Sequence, residues 1–483
     1  MSSAYEAVIG LEVHVELGTR TKMFCGCPTD FGGEPNTKTC AVCTGQPGSL
    51  PVPNAAAIEA AISLGLALAC EVAPRSQFHR KNYFYPDMPK NYQISQYDVP
   101  ICADGHLDVA VDGTSRRIGI TRVHMEEDTG KSLHVGGTGR IAGADHSLID
   151  YNRAGIPLLE IVSEPDVRGP EEARAYLAEL RGIVRALGIS DAKLEEGSMR
   201  CDANVSVRRR GDEAFGTRVE VKNMNSLRSL QRAVAHEIER QGALLDAGEA
   251  VTQETRHWDE DAGRTSTLRA KEEVFDYRYF PDPDLVPVTP ERADVERLAA
   301  ALPELPAQMR ARLTGGLGLS DEAAVTLVDA GLVVVLDDAV AAGAEPAAAA
   351  KWLANEVLSW CREADVDPAG VPLAGDALAE LVDLVARGTL STKLAREVLV
   401  GVLEGEGRPG EVAKARGLEQ VSDEGELVTL VDEAIAADPA AAEKVRGGND
   451  KAIGALVGAV MKASRGQANP QRVNELLRER LTS

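Results

Sequence analysis

The sequence predicts an α+β protein whose N-terminal part is built on an antiparallel sheet and whose C-terminal part is all-α. Three observations carry that prediction. Residues 10–19, GLEVHVELGT, alternate apolar and polar positions without a break, the period of a strand with one buried face. Long amphipathic stretches are interleaved with further strands of this kind, which is the pattern of an α+β domain. After YFPDPDLVPVTP (279–290) the alternation stops, and the chain becomes rich in Ala and Leu with stops at Gly and Pro, so only helices are expected.

In the first strand Leu11, Val13, Val15 and Leu17 face one way, and Glu12, His14 and Glu16 the other. Three more strands are predicted at RRIGITRVHM, CDANVSVRRR and TRVEVKN. Helices are predicted at NAAAIEAAISLGLALA from Asn54, at PEEARAYLAELRGIVRALG from Pro170 with its closing Gly, and at LRSLQRAVAHEIERQGALLDAG. These elements, with nearly all the His, Cys and Tyr, are assigned to a first domain at 1–293. The linker signal is LEGEGRPGE from Leu403, which holds three Gly and a Pro and no apolar residue after Leu403. It divides an all-α domain, 294–407, from a small all-α tail, 408–483, whose last helix should start at Pro470 behind an Asn469 cap.

At 483 residues the chain exceeds one hydrophobic core, and 44% hydrophobic with 26% charged residues is ordinary for a globular protein. No basic segment followed by an apolar run opens the sequence, and no apolar run reaches the length of a membrane span, so a cytoplasmic protein with no membrane partner is expected. A formal net charge of −23 argues against a surface wholly given to polyanions, and DNA is not an expected partner. The end of the chain differs: from Ala441 to Ser483 eight Lys and Arg face four acids. That local excess points to a nucleic-acid-facing tail, with solvated helix faces as the alternative.

Several stretches carry chemistry. Cys25, Cys27, Cys40 and Cys43 form C-x-C, twelve residues, then C-x-x-C, in an insertion at about 25–43. Four thiolates from two tight turns suit a closed, structural zinc site, and ordinary loop residues are the alternative. EEDTGKSLH (126–134) superficially resembles a phosphate-binding loop, but Met125 stands where its first glycine belongs. What remains is Glu126, Glu127 and Asp128 beside Lys131. In CDANVSV the residues Asp202, Asn204 and Ser206 share a face, and in RVEVKN so do Arg218, Glu220 and Lys222. A sheet face set with acids beside Lys131, Arg200 and Lys222 can hold Mg²⁺ through carboxylate oxygens and offset phosphate charge, although a solvated face would look similar.

GLEVHVEL, KNYFYPDMPKNYQISQYDVPI, DYNRAGIPLLEIVSEPD, EGSMRCDANVSVR, EVKNMNS and DYRYFPDPDL closely resemble the B-subunit family of glutamyl/aspartyl-tRNA amidotransferases, over almost the whole chain. The resemblance implies a glutamine-synthetase-like cradle, then a helical domain and a YqeY-like tail. It implies an ATP-dependent ligase activity on the side-chain carboxylate of Glu-tRNA(Gln) or Asp-tRNA(Asn). The carboxylate is phosphorylated, and ammonia then displaces phosphate to leave the amide. The resemblance also implies that ammonia comes from an amidase (A) subunit, in a heterotrimer with a small (C) subunit, and the lack of a recognisable Ser-Ser-Lys amidase or Cys–His glutaminase motif here fits that division. By the resemblance Glu12 and His14 are Mg²⁺ ligands at the ATP site, joined by Glu126 or Glu127 and by Asp202. Lys131, Arg200 and Lys222, with Glu220 beside them, are candidates for contacts to phosphate or the acyl phosphate. Lys451, Lys462 and Arg465 are the expected tRNA contacts. Two other classes compete: a stand-alone ATP-dependent carboxylate–amine ligase for a small molecule, and a non-catalytic tRNA-binding scaffold.

Overall fold

The computed structural model describes residues 4–136, 143–270, 276–418, 424–447, 450–464 and 468–482. The chain divides into two compact units, Met1–Pro306 and Ala307–Ser483.

The first unit begins with strand β1 (Tyr5–Glu16), helix α1 (Ala55–Ala67) and β2 (Glu71–Val72). There follow β3 (His79–Asn82), β4 (Tyr92–Ser95), β5 (Cys102–Val111) and β6 (Thr114–Glu127). Next come β7 (Lys131–Val135), β8 (His146–Asp150), β9 (Pro157–Ser163) and α2 (Pro170–Ala186). The last are β10 (Met199–Arg209), β11 (Val219–Met224), α3 (Leu227–Asp246), β12 (Glu254–Asp259), β13 (Arg264–Ala270), β14 (Phe280–Pro281) and α4 (Arg292–Ala300).

Nine of these strands form one sheet in the order β13-β12-β11-β10-β1-β9-β6-β5-β2, among the described residues. Its pairs are antiparallel except β11 with β12. Small sheets β14-β3-β4 and β7-β8 lie beside it in the same unit.

Alternation along β1 makes the sheet two-faced. Leu11, Val13 and Val15 are at most 1% exposed, in one core with residues of α1, α2 and α3. Helices α1 and α3 start where the sequence supplies a side-chain cap. The Asn54 side chain accepts from the Ala56 N–H at 3.0 Å, and the Ser226 side chain from the Ser229 N–H at 2.9 Å. Helix α2 opens on Pro170 with Glu171 and Glu172 in its first turn, and buries Ala173, Tyr176, Leu177, Leu180 and Val184 as one apolar stripe. With the helices on one side, the opposite face of β10-β1-β9-β6 keeps its polar side chains.

The second unit is helical throughout its described residues. It holds two separate apolar clusters, one from Leu313 to Ala413 and the other from Leu427 to Leu481. The helix Pro409–Ala415, which begins within the predicted linker, buries Val412 and Ala413 in the first of these. The Asn469 side chain accepts from the Gln471 N–H at 2.9 Å and the last helix starts at Pro470, as the sequence predicts. No described helix is long and apolar enough to cross a membrane.

Because Val13 lies wholly in the core, Val13→Ala should lower stability by about 2 kcal/mol in a denaturant titration while leaving the polar face in place.

Candidate functional site

Strand register assembles the site. On β1, Glu12 lies opposite Asp202 of β10, and His14 lies between Arg200 of β10 and Glu160 of β9. On the far side of β9, Glu160 lies opposite His124 of β6. Directly opposed residues point to the same face, so one row runs Arg200–His14–Glu160–His124 across four strands. Two residues along, Glu16 and Glu126 both lie opposite Leu158.

The ligand atoms of Glu12, His14 and Asp202 lie within 4.8 Å of one another, and so do those of His14, Glu126 and Glu160. Two carboxylates and an imidazole in each group are a donor set that fits a divalent cation, with His14 common to both. His14 Nε2 is 3.3 Å from Glu160 and 3.8 Å from Glu12. Burial would lower the His14 pKa, but Glu160, Glu126 and Glu12 outweigh it and raise it. Glu12 is raised by burial and by the nearby carboxylates of Glu160 and Asp202.

Glu126 is fixed from three sides, by Ser95 Oγ at 2.6 Å, Gln93 Nε2 at 3.0 Å and His124 Nε2 at 3.3 Å. Burial opposes its charge, yet Lys81, His124 and His14 hold its carboxyl well below the usual range. Like Arg153, Lys81, on β3, is a cation that the sequence alone does not single out. Burial would lower it, but Glu126 and Glu160 raise it.

A second knot lies at the end of the row. Asp128, 4% exposed, accepts from both terminal nitrogens of Arg200 at 3.1 Å and lies 3.7 Å from Arg153 Nε. Those arginines lower its pKa against the effect of burial. Glu16, 3.4 Å from Arg200, is pushed up to about 8 by burial first and then by Asp128. Glu16, Lys131 and Arg153 line a cleft of about 560 Å³.

The expected residues are thus placed differently. Glu12, His14, Glu126 and Asp202 come together. Glu127 does not, because it follows Glu126 on a strand and turns to the other side, where it takes Lys90 and the Ile94 N–H at 2.9 Å. Arg200 borders the cluster, held by Asp128. Lys222 pairs with Asp202 and lies 3.2 Å from Glu220, whose other oxygen accepts from Thr255 at 2.7 Å. Lys131 is exposed at the start of β7, on the cleft and outside the two ligand groups. Glu160 escapes the sequence analysis although it sits in a quoted motif. In PLLEIVS it alternates with Leu159 and Ile161 as Glu12 does with Leu11 and Val13. Asp128 and its neighbours, open to reading as a solvated turn, are buried.

Apart from this face, the sulfurs of Cys25, Cys27, Cys40 and Cys43 lie within 4.8 Å of one another, with Cys40 and Cys43 3.9 Å apart. A tetrahedral zinc with Zn–S near 2.3 Å puts its sulfurs about 3.8 Å apart, so these four fit it. Cys43 is pulled down to about 5 by a hydrogen bond from Cys25 and, against burial, by the Cys40 N–H and Lys22. Cys27 is pushed up to about 11, mainly by burial. In the tail, Lys451 and Lys462 are exposed, and Arg465 lies outside the described residues.

Comparison with known proteins places the chain in a family. The family model described as the GatB/GatE catalytic domain matches residues 7–296, and that described as the GatB domain matches residues 335–481. A protein of Frankia casuarinae, named as the B subunit of aspartyl/glutamyl-tRNA(Asn/Gln) amidotransferase, is 58% identical over 99% of this chain and 96% of its own length. The protein of the same name from Thermobifida fusca is 58% identical over 99% of this chain and 94% of its own, and that of Streptomyces coelicolor 56% over 99% and 96%. By these matches, which cover both units, the chain belongs to the B-subunit family of aspartyl/glutamyl-tRNA(Asn/Gln) amidotransferases.

Proposed function

We propose that this chain is the subunit that converts the side-chain carboxylate of Glu-tRNA(Gln), Asp-tRNA(Asn) or both into an amide at the expense of ATP. The observation that carries the reading is the cluster of Glu12, His14, Asp202, Glu126 and Glu160 on the open sheet face, bordered by Lys81, Arg200 and Lys222. The carboxylates suit Mg²⁺ as hard oxygen ligands, with His14 beside them to complete the set, and the neighbouring cations suit the phosphates it accompanies. Mg²⁺, when bound, neutralises charge on ATP. Arg200, oriented by Asp128, is placed to meet phosphate oxygens, and Lys81 and Lys222 to offset the charge of the acyl phosphate. Attack by the substrate carboxylate on the γ-phosphorus releases ADP, and ammonia then expels phosphate from the acyl group.

The relatives are named as one subunit of an amidotransferase, which supports work inside an assembly. We assign ammonia production to an amidase (A) subunit, with a small (C) subunit to complete a heterotrimer in the cytoplasm. Zinc is assigned to the four cysteines. The two apolar clusters of the second unit support a reading as a helical domain followed by a YqeY-like tail, and Lys451, Lys462 and Arg465 of that tail are assigned to tRNA phosphates. A small-molecule ligase or a non-catalytic scaffold is disfavoured by the tRNA-dependent activity in the relatives' name.

Three outcomes test this. With ATP, Mg²⁺ and misacylated tRNA, the purified chain should form amide from ammonium and not from glutamine. Product analysis of the deacylated amino acid reads the result, and glutamine-dependent activity without a partner would overturn the division of labour. Glu12→Gln should reduce tRNA-stimulated ATP cleavage by about two to four decades and alter its Mg²⁺ dependence, with folding unchanged. Lys462→Ala should weaken tRNA binding across sequences and reduce the slope of log affinity against log salt by about 1.

A further inference from the structure

Lys22 has no part in the cation cluster, yet it is one of the largest fully buried side chains, 1% exposed. Its ammonium donates to the Lys38 carbonyl at 2.8 Å and the Tyr151 carbonyl at 3.2 Å, and approaches Cys43 Sγ at 3.9 Å. None of these three groups is a carboxylate. A buried ammonium needs an opposite charge close by, because carbonyl dipoles satisfy its N–H donors without neutralising it. Four thiolates around a divalent ion keep a net double negative charge, and that centre in turn needs a cation. The two requirements meet at Cys43.

The contacts also tie two segments together. Lys38 belongs to the cysteine loop and Tyr151 to DYNRAG (150–155). The same two segments are joined by Asn36 N–H to Asp150 at 2.9 Å, Lys38 N–H to Asn152 at 2.8 Å, and Asn152 Nδ2 to the Glu34 carbonyl at 2.8 Å. Segment 150–155 presents Arg153 toward Asp128. At its end the Gly155 N–H donates to the Asp128 carbonyl at 2.9 Å, and its own carbonyl accepts from Met23, the neighbour of Lys22, at 2.8 Å. Gly155 has φ +89°, and a β-carbon there would meet Lys22, Cys43 and Glu127 Oε2 at 3.4, 3.6 and 3.8 Å, so the packing here is close, and the Glu127 carboxylate nearby is itself paired with Lys90.

We propose that Lys22 is the internal counter-ion of the four-thiolate metal centre and fastens that centre to the segment carrying Arg153. Such a residue acts on the metal through its ligand, as outer-shell partners of metal sites do.

The proposal rests on the four sulfurs holding zinc, so metal analysis of the wild-type chain comes first. About one zinc per chain is expected, and its absence would remove both readings. Lys22→Met and Lys22→Gln are then compared by competition for zinc with a chromophoric chelator. Glutamine can still donate to the two carbonyls but carries no charge. Both variants should bind zinc roughly 10–100-fold more weakly, with far-UV circular dichroism unchanged and amide exchange across 150–155 accelerated. A folded Lys22→Gln with wild-type zinc affinity would make Lys22 a packing residue and overturn the proposal. Should neither variant fold in trace zinc, excess zinc during refolding should rescue both, and failure of that rescue would overturn it equally.

Discussion

Antiparallel register at the centre of the sheet is the constraint on which the rest depends. The site needs Glu12, His14, Glu160, His124 and Asp202 on one face, and they come from four strands scattered between residues 5 and 209. A slip of one residue in any of these pairings would send its polar set into the core and its apolar set into the cleft. Helices α1, α2 and α3 forbid that slip, because they bury the apolar set of every one of these strands in a single core. Site geometry and core stability are therefore enforced by the same pairings.

Concentrating carboxylates in this way has an electrostatic cost, and the surrounding charges offset it. Glu126, Glu160 and Asp128 are each buried and each held below the usual carboxylate range, with Lys81, Arg200, Arg153 and the neighbouring imidazoles of His14 and His124 outweighing burial. Where compensation is weaker the balance tips the other way, as at Glu12 and Glu16, whose carboxyls are raised. The groups of this face thus differ in how readily they hold charge, the property expected of the metal ligands and phosphate-handling groups proposed above.

Much of this was legible in the chain itself, for a physical reason. Alternation is local, so GLEVHVEL shows which residues of β1 share a face, and Asn54 and Asn469 as caps and Pro170 as a first-turn proline mark helix starts. Long-range placement is not local. Nothing near Lys81 reveals that β3 delivers it to Glu126, and nothing in EEDTG shows that Asp128 is buried under Arg200 and Arg153. Glu160 was within reach, since PLLEIVS alternates like β1, but a run with so many apolar residues reads first as core. Glu127 shows the reverse case: adjacent acids look equivalent in sequence, and only the pleat decides which of them faces the cluster.

The position of β1 also bears on how the protein is made. It is synthesised well before either of its sheet partners, β9, at Pro157–Ser163, and β10, at Met199–Arg209. No neighbouring hairpin protects either edge. At translation rates of about 5–20 residues per second, the roughly 190 residues from the end of β1 to the middle of β10 take on the order of 10–40 s to synthesise. For that time an apolar, β-prone segment with two open edges must stay out of trouble, and loop-closure entropy makes its pairing slow even once the partners exist. The acids and the imidazole that later form the site punctuate this segment at every second residue, and their charge and hydration oppose its pairing with other nascent chains. The side chains read here as ligands are then also the strand's protection against aggregation before it has a sheet to join.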